Sequence, residues 1–374
     1  MKNILQTAAT LWVMVSLMMP SLNARSLAGI VVSPAEEPLG EIAVRLYGPR
    51  EGEQGQRREL ASSTTDLVGA FQFDNVPATV ELIALDGPQG VGKLCITNRV
   101  NLEEGRWTIR YPVLTTVLLL HDNDLHFNFN YVARFQAEVA RLRHQQEHVF
   151  LLNAGDIFIR SPGNWNIRTP EFYAEQAHAI IARMNELKYD AMTLGNHELD
   201  YVVPHTREAL AQARFPLLAA NVQTTTEHLP ALRSSTLLTT SNDLTLSVLG
   251  VTTVNFLKDG VAMGDPQKAV LAFLAQSSNH NARIVLSHLS YPVDQVMART
   301  APGIDVIIGG HCHTLLEEAV TVGDTLIAQA GGTAANSAAP VQPERPKYLG
   351  VITLVFENDR LVQKSGRVLT FTAD

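Results

Sequence analysis

Cysteine is almost absent, with two in 374 residues. A chain this long buries a sizeable core without covalent staples, so a disulfide scaffold is excluded. Cys95 and Cys312 stand far apart, and the sequence leaves open whether they pair or remain two thiols. Basic charge is also short. Lys and Arg total 29 against 37 Asp and Glu, a formal net charge of −8. No stripe of Lys and Arg is present, which argues against binding of a nucleic-acid duplex. Long apolar runs are missing as well. The run Leu11 to Met19 is too short for a comfortable membrane span. There is no internal repeat and no low-complexity segment. Hydrophobic residues make up 46% and charged residues 18%, an ordinary globular mix that excludes disorder and a collagen-like fibre.

What is there begins with a leader. Lys2, the short apolar stretch, Pro20-Ser21 and small residues at Ala24, Ser26 and Ala28 follow the pattern of a secretory signal. The expected leader is 1–24, with cleavage after Ala24 and Ala28 as the alternative. No cysteine follows the run, which argues against a lipoprotein anchor. The expected product is periplasmic or secreted, acidic, and without a membrane span once the leader is removed.

Two textures follow. Residues 25–110 read as a small all-β sandwich: Ile42 to Tyr47, Ala70 to Phe73 and Glu81 to Leu85 are strand-like, with Gly, Pro and Asp clustered between them. From about Pro112, over 111–374, apolar runs alternate with helical patterns, which predicts an α/β domain. Strands are expected at Val117 to Leu120, Val149 to Leu152, Ala191 to Leu194, Leu217 to Ala220, Ile284 to Leu286 and Val306 to Ile308. Val132, Phe135, Val139 and Leu142 recur at helical spacing. Thr169-Pro170 and Asp265-Pro266 are helix starts. Val351 to Phe356 and Leu361 to Thr372 read as a hairpin turning at Asn358-Asp359.

The twelve histidines matter for where they sit. Five predicted strands run into His121-Asp122-Asn123-Asp124-Leu125-His126, Asn153-Ala154-Gly155-Asp156, Gly195-Asn196-His197-Glu198, Ser287-His288 and Gly309-Gly310-His311-Cys312-His313. Carboxyl ends of strands are where open α/β sheets bind ligands. Asp, His and Asn supply oxygen and imidazole donors suited to divalent ions. Five segments supply more donors than one four-coordinate ion needs. Two ions roughly 3.5–4 Å apart can polarise a phosphoryl oxygen, generate hydroxide and stabilise both apical oxygens. The donor set therefore points to phosphoester hydrolysis. His144, His148, His178, His205, His228 and His280 stand alone and are expected on the solvated surface.

The blocks D-x-H, G-D, G-N-H-E, S-H and G-H-x-H, in that order, resemble the signature of calcineurin-like metallophosphoesterases over about residues 112–374. His121 to His126, Gly195 to Asp200 and Leu218 to Val222 resemble its 5′-nucleotidase branch. The resemblance implies a four-layer sandwich of two mixed β-sheets flanked by helices. It implies two divalent metal ions (Mn, Zn, Fe, Mg or Co). Asp124, His126 and His313 would hold one and Asn196, His288 and His311 the other, bridged by Asp156. His197 would face the substrate as the catalytic imidazole, oriented by Asp200, with Glu198 the competitor for that place. Asn123 and Asn221 are candidate substrate contacts; the first alternatively caps a turn and the second closes a strand. Cys312 is expected to point away from the metals. The implied substrate is a phosphorylated small molecule, with nucleotides as candidates. A phosphodiesterase, including one for cyclic nucleotides, and a binding or adhesion protein with a vestigial metal domain are the alternatives. Secreted members of that branch carry a carboxyl-terminal domain with an aromatic pair for the nucleobase. No such domain is expected after the terminal hairpin here, so the resemblance implies the metal chemistry and not base recognition. Phe127, Phe129, Tyr131, Trp165 and Tyr201 lie near the motif loops. Thr65 to Phe73 resembles the T-D-x-x-G-x-F-x-F signature of carboxypeptidase-regulatory-like and related immunoglobulin-like β-domains, which act as spacers or adhesion units.

Overall fold

The computed structural model describes residues 25–371, apart from 33–39, 52–55, 77–81, 87–92, 97–105, 111–113, 128–131, 159–169, 201–203, 225–228, 254–259 and 333–346. It divides into two compact units, Met1–Thr115 with Val355–Gln363, and Thr116–Leu354 with Lys364–Asp374.

In the first unit lie β1 (Arg25–Val32), β2 (Ala43–Glu51), β3 (Gln56–Thr64), β4 (Ala70–Val76), β5 (Leu82–Asp86), β6 (Lys93–Ile96) and β7 (Arg106–Arg110). They form two sheets, ordered β4-β1-β7 and β3-β2-β5-β6. The T-D-x-x-G segment is a turn with a local cause. Thr65 Oγ1 accepts the Ile42 amide at 2.9 Å. Asp66 Oδ1 accepts the amides of Val68 and Ala70 at 3.0 and 2.8 Å, an Asx-type turn. Phe71 and Phe73 follow it, both buried, with ring centroids 5.9 Å apart.

The rest of the chain runs β8 (Leu114–Asp122), α1 (Val132–Gln145), β9 (His148–Asn153), α2 (Pro170–Glu186), β10 (Ala191–Thr193), α3 (Asn196–Asp200) and α4 (Pro204–Leu210). Then come β11 (Leu217–Leu218), β12 (Val222–Thr224), β13 (Ser235–Thr239), β14 (Thr245–Thr252), β15 (Val261–Met263), α5 (Pro266–Gln276), β16 (Ala282–His288) and α6 (Tyr291–Thr300). It ends with β17 (Val306–Gly309), β18 (Val320–Val322), β19 (Thr325–Ala328), β20 (Lys347–Glu357) and β21 (Arg360–Phe371).

Two six-stranded mixed sheets result, ordered β11-β10-β9-β8-β20-β21 and β13-β14-β16-β17-β19-β18. β8, β9, β10 and β11 run parallel, as do β14, β16, β17 and β19. That places the carboxyl ends of β8, β9 and β10 along one edge, and those of β16 and β17 along another. Strands buried on both faces carry no apolar alternation, which explains the unbroken Val117 to Leu120 run. Leu118 and Leu120 join a core with Phe135, Val139 and Leu142 of α1 and Ile180, Ile181 and Met184 of α2. α5 and α6 pack on the second sheet through Val270, Phe273 and Met297. Each such fully buried side chain contributes about 1.5–3 kcal/mol by leaving water. The sheets meet where Thr193 Oγ1 of β10 reaches the Val251 carbonyl of β14 at 3.4 Å. This is the α/β sandwich of two mixed sheets and flanking helices that the motifs imply.

Local signals place the boundaries. Asp265 caps α5, its Oδ1 accepting the Gln267 and Lys268 amides at 2.8 and 3.3 Å, with Pro266 in the first turn. Asn358 and Asp359 both adopt positive φ, 46° and 68°, as a two-residue hairpin turn requires. One expectation is corrected: His148 is not on the solvated surface but buried at the start of β9, where it pairs with Val117.

Candidate metal centre

The motif residues sit on tight turns just beyond strand ends. Asp124 (φ 52°), His126 (47°), Asp156 (55°), His311 (76°) and His313 (53°) all hold left-handed backbone conformations. Such residues cost about 1–3 kcal/mol each and persist only where surrounding contacts over-determine them. Gly155 shows how tight the packing is. Its φ is 90°, and a Cβ there would lie 2.7 Å from the Gly195 amide nitrogen. The loops after β9 and β10 are in backbone contact.

The side chains converge in two sets. In the first, Asp124 Oδ1 lies 3.3 Å from His313 Nε2 and 3.9 Å from His126 Nε2, and the two Nε2 atoms are 3.1 Å apart. In the second, Asn196 Oδ1 lies 2.7 Å from His311 Nδ1 and 3.3 Å from His288 Nε2. Asp156 Oδ2 is 3.2 Å from His288 Nε2 and 3.7 Å from His197 Nε2. Asp156 groups with His288 and His311 on one side and with His126 and His197 on the other. The structure thus brings together all seven residues expected as ligands, with His197 beside them.

The rear of each imidazole is held. His126 Nδ1 faces the Phe158 carbonyl at 3.1 Å, and His288 Nδ1 faces the Ala154 carbonyl at 2.6 Å. A carbonyl takes the Nδ1 proton and leaves Nε2 with its lone pair toward the site. The electrostatics differ between the two rings. Burial pulls the His126 imidazole down to about 4, against the pull of Asp156 and Asp124, so it is an uncharged donor at neutral pH. Burial also lowers His311. His288 is opposed by burial, yet the Asp156 and Asp124 carboxylates and the Ala154 carbonyl drive it up to about 10. Burial alone would raise Asp156, but His288, His197 and His126 outweigh it and hold the carboxyl well below the usual range. Two buried carboxylates, Asp124 and Asp156, thus call for positive charge at this site, and in metal-free protein the proton on His288 answers that call. Imidazole, carboxylate and carboxamide donors in this arrangement suit divalent ions of the Zn, Mn, Fe, Mg or Co type.

The two residues expected as substrate contacts are engaged within the chain. Asn123 Oδ1 accepts the Ala330 amide at 3.0 Å, while its Nδ2 donates to Asp124 Oδ2 at 2.5 Å and to the Gly331 carbonyl. Asn221 Oδ1 accepts the Thr252 amide at 3.0 Å, and its Nδ2 donates to the carbonyls of Thr252 at 2.8 Å and Gly264 at 3.4 Å. The Asn221 carboxamide is held by backbone groups alone, and that of Asn123 by backbone groups and the Asp124 carboxylate, so both residues clasp loops. Phe127 packs on Phe158, centroids 5.5 Å apart. Phe129, Tyr131, Trp165 and Tyr201 lie outside the described residues, and so does the side chain of Asp200.

Cys312 is an exposed free cysteine. Its Sγ accepts the Tyr291 amide at 3.1 Å and lies 3.1 Å from Thr314 Oγ1, turned to the start of α6.

Sequence reasoning missed the residues behind the ligands. Glu198 is fully buried and accepts three backbone amides instead of meeting His197. Its signal was the three-residue step from Gly195 at a helix start, the spacing of a capping box. Asp122, buried, accepts Tyr189 Oη at 2.5 Å and Asn153 Nδ2 at 2.8 Å, and Asn153 in turn accepts the Gly155 amide at 2.8 Å. Asp294 of α6 accepts Oγ of Ser287, the residue before His288, at 2.5 Å.

Residues 118–315 match the family model for calcineurin-like phosphoesterases. The chain is 26% identical over 301 residues to the trifunctional nucleotide phosphoesterase protein YfkN of Bacillus subtilis, covering 67% of this chain and 19% of that one. It is 30% identical over 230 residues to the 5′-nucleotidase of Homo sapiens, covering 53% of this chain and 38% of that one. The chain thus spans less than half the length of these curated relatives. Among solved structures, the 5′-nucleotidase precursor of Thermus thermophilus superposes with a TM-score of 0.57 at 26% identity, covering 69% of this chain and 55% of the other.

Proposed function

The chain belongs to the calcineurin-like phosphoesterase family, and from that premise we propose an exported phosphomonoesterase of the 5′-nucleotidase type that works with two divalent ions. The observation that carries this reading is the pair of donor sets that meet at Asp156. Asp124, His126 and His313 would hold one ion. Asn196, His288 and His311 would hold the other, and Asp156 would be shared. When bound, such ions supply Lewis-acid stabilisation of phosphoryl charge and lower the pKa of water.

The remaining work falls to the chain. His197 belongs to neither expected set, and its Nε2 lies 3.7 Å from Asp156 Oδ2. In this reading it is the imidazole that meets the substrate. Its role would be to stabilise the phosphoryl oxygens or to protonate the leaving oxygen, with Asp200 three residues on holding its tautomer. The water-poor walls around Asp156 and His288 strengthen each of these charge interactions. Relatives named as 5′-nucleotidases support nucleotides as the substrate class. In the same reading, residues 1–24 are a leader to the periplasm or outside. Residues 25–110 are an accessory β-module, and 111–374 form the catalytic domain. Among the described residues no helix is long and apolar enough to cross a membrane.

The test is elemental analysis of the purified protein together with a substrate panel: 5′-mononucleotides, p-nitrophenyl phosphate and bis-p-nitrophenyl phosphate, with and without manganese. Bound metal and chelator-sensitive release of phosphate from the monoesters are expected. Preference for the bis-ester would move the protein to the phosphodiesterases. Metal-loaded protein that hydrolyses none of the panel would end the enzyme reading.

A further inference from the structure

The loop after β9 and the start of α3 carry Asp156, Asn196 and His197, yet neither is held by its own secondary structure. α3 is five residues long, and Asp156 stands in a left-handed conformation. What joins them is Glu198. Its Oε2 accepts the amides of Asp156 at 2.9 Å and Gly195 at 2.7 Å, and its Oε1 accepts the amide of Phe158 at 2.9 Å. The link is reciprocal, because the His197 amide donates to Asp156 Oδ1 at 2.9 Å. It also reaches the first donor set. Phe158, the residue whose N–H goes to Glu198, turns its carbonyl to His126 Nδ1 at 3.1 Å.

We propose that Glu198 is a positioning residue that fixes the spacing between Asp156, His126 and Asn196, and so sets metal affinity. This rests on the reading of the site as a metallophosphoesterase centre. The chemistry requires a carboxylate. Three amide donors converge on two oxygens, and a carboxylate offers acceptor sites only. A glutamine of the same shape would turn an N–H₂ toward one of those amides, donor against donor. An aspartate would keep the charge but fall one methylene short. Partners that orient metal ligands in this way typically change metal affinity or activity by about 10–100-fold when removed.

The experiment compares wild type with Glu198→Gln and Glu198→Asp by calorimetric manganese titration, circular dichroism and steady-state kinetics on p-nitrophenyl phosphate. Both variants should bind manganese roughly 10–100-fold more weakly. Their kcat should recover as manganese is raised, with KM nearly unchanged. A merely structural role would lower the melting temperature without this metal-dependent rescue. Folded variants with wild-type manganese affinity would overturn the proposal. If neither variant folds, amide exchange in wild type decides. The amides of Asp156, Phe158 and Gly195 should exchange slowly and together, and fast exchange at all three would overturn the proposal. Wild type that binds no manganese would instead sink the underlying metal-centre reading.

Discussion

Asp156 meets His197 twice: its Oδ1 accepts the His197 amide at 2.9 Å, while its Oδ2 lies 3.7 Å from the same residue's Nε2. One oxygen is tied to the backbone and the other faces the ring nitrogens. The two side chains should therefore fail differently. His197→Ala keeps the amide that tethers Asp156, so metal content should stay near wild type while kcat falls by about 10²–10⁴-fold, the range for general acid–base catalysis. Asp156→Ala removes the carboxylate common to both donor sets, so metal should be lost. Elemental analysis beside kcat separates the two, and equal metal loss in both variants would contradict the role given to His197.

Asn221 offers a contrast between a substrate contact and a clasp. Its carboxamide pairs with both backbone groups of Thr252. Asn221→Ala leaves those buried groups without their partner, which costs about 1–3 kcal/mol. Urea unfolding should show a lower midpoint, and KM for a phosphomonoester should stay the same. A raised KM at an unchanged midpoint would restore the substrate role.

The same contrast explains what the sequence made legible. Asp124, His126, Asp156, Asn196, His288, His311 and His313 were readable because each follows an apolar run, and parallel pairing aligns the ends of such runs. Asn123 and Asn221 stayed open between two roles because an amide suits a phosphate and a backbone pair equally well, and the backbone partners are not visible in the sequence. Ala330 and Thr252 are remote in sequence from the residues they meet. Glu198 lay in plain view inside a motif, but its partners Asp156 and Phe158 belong to the loop after β9, remote in sequence. β13 and β18 were missed because they are short edge strands where apolar patterning is weak, and β19 because its buried run is only four residues long.

His121 heads a motif block without reaching the site. It is buried at 1% exposure, its Nδ1 finds no hydrogen-bond partner, and burial lowers its pKa to about 3. Its ring occupies the space where a Cβ on Gly350 of β20 would stand. Gly350→Ala therefore overpacks the contact, at a cost of about 1–3 kcal/mol, occasionally more. A lowered melting temperature with unchanged manganese affinity is the expected outcome. A melting temperature equal to wild type would show that β20 can move away from His121.

Asp294 gives a pH dependence whose sign is fixed. Its side chain is fully buried on α6, with Ser287 Oγ donating to Oδ1 at 2.5 Å and no partner for Oδ2. Burial raises its pKa from 3.8 to about 8, against the lowering effects of Ser287 and His288. Between those values the folded protein holds a proton that the unfolded chain has released. Stability then falls as pH rises through that window, by at most about 1.4 kcal/mol per pH unit from this group, and levels off above it. His288, raised to about 10, adds a loss of the same sign in metal-free protein, so the wild-type curve alone does not isolate Asp294. The difference from Asp294→Asn does. The amide keeps the shape of the neutral acid and cannot ionise, so the variant should gain stability relative to wild type as pH increases. Urea unfolding of metal-free protein at several pH values between about 5 and about 9 measures that difference. Parallel curves for the two proteins would show that Asp294 is already ionised at the lower end and that Ser287 holds a carboxylate.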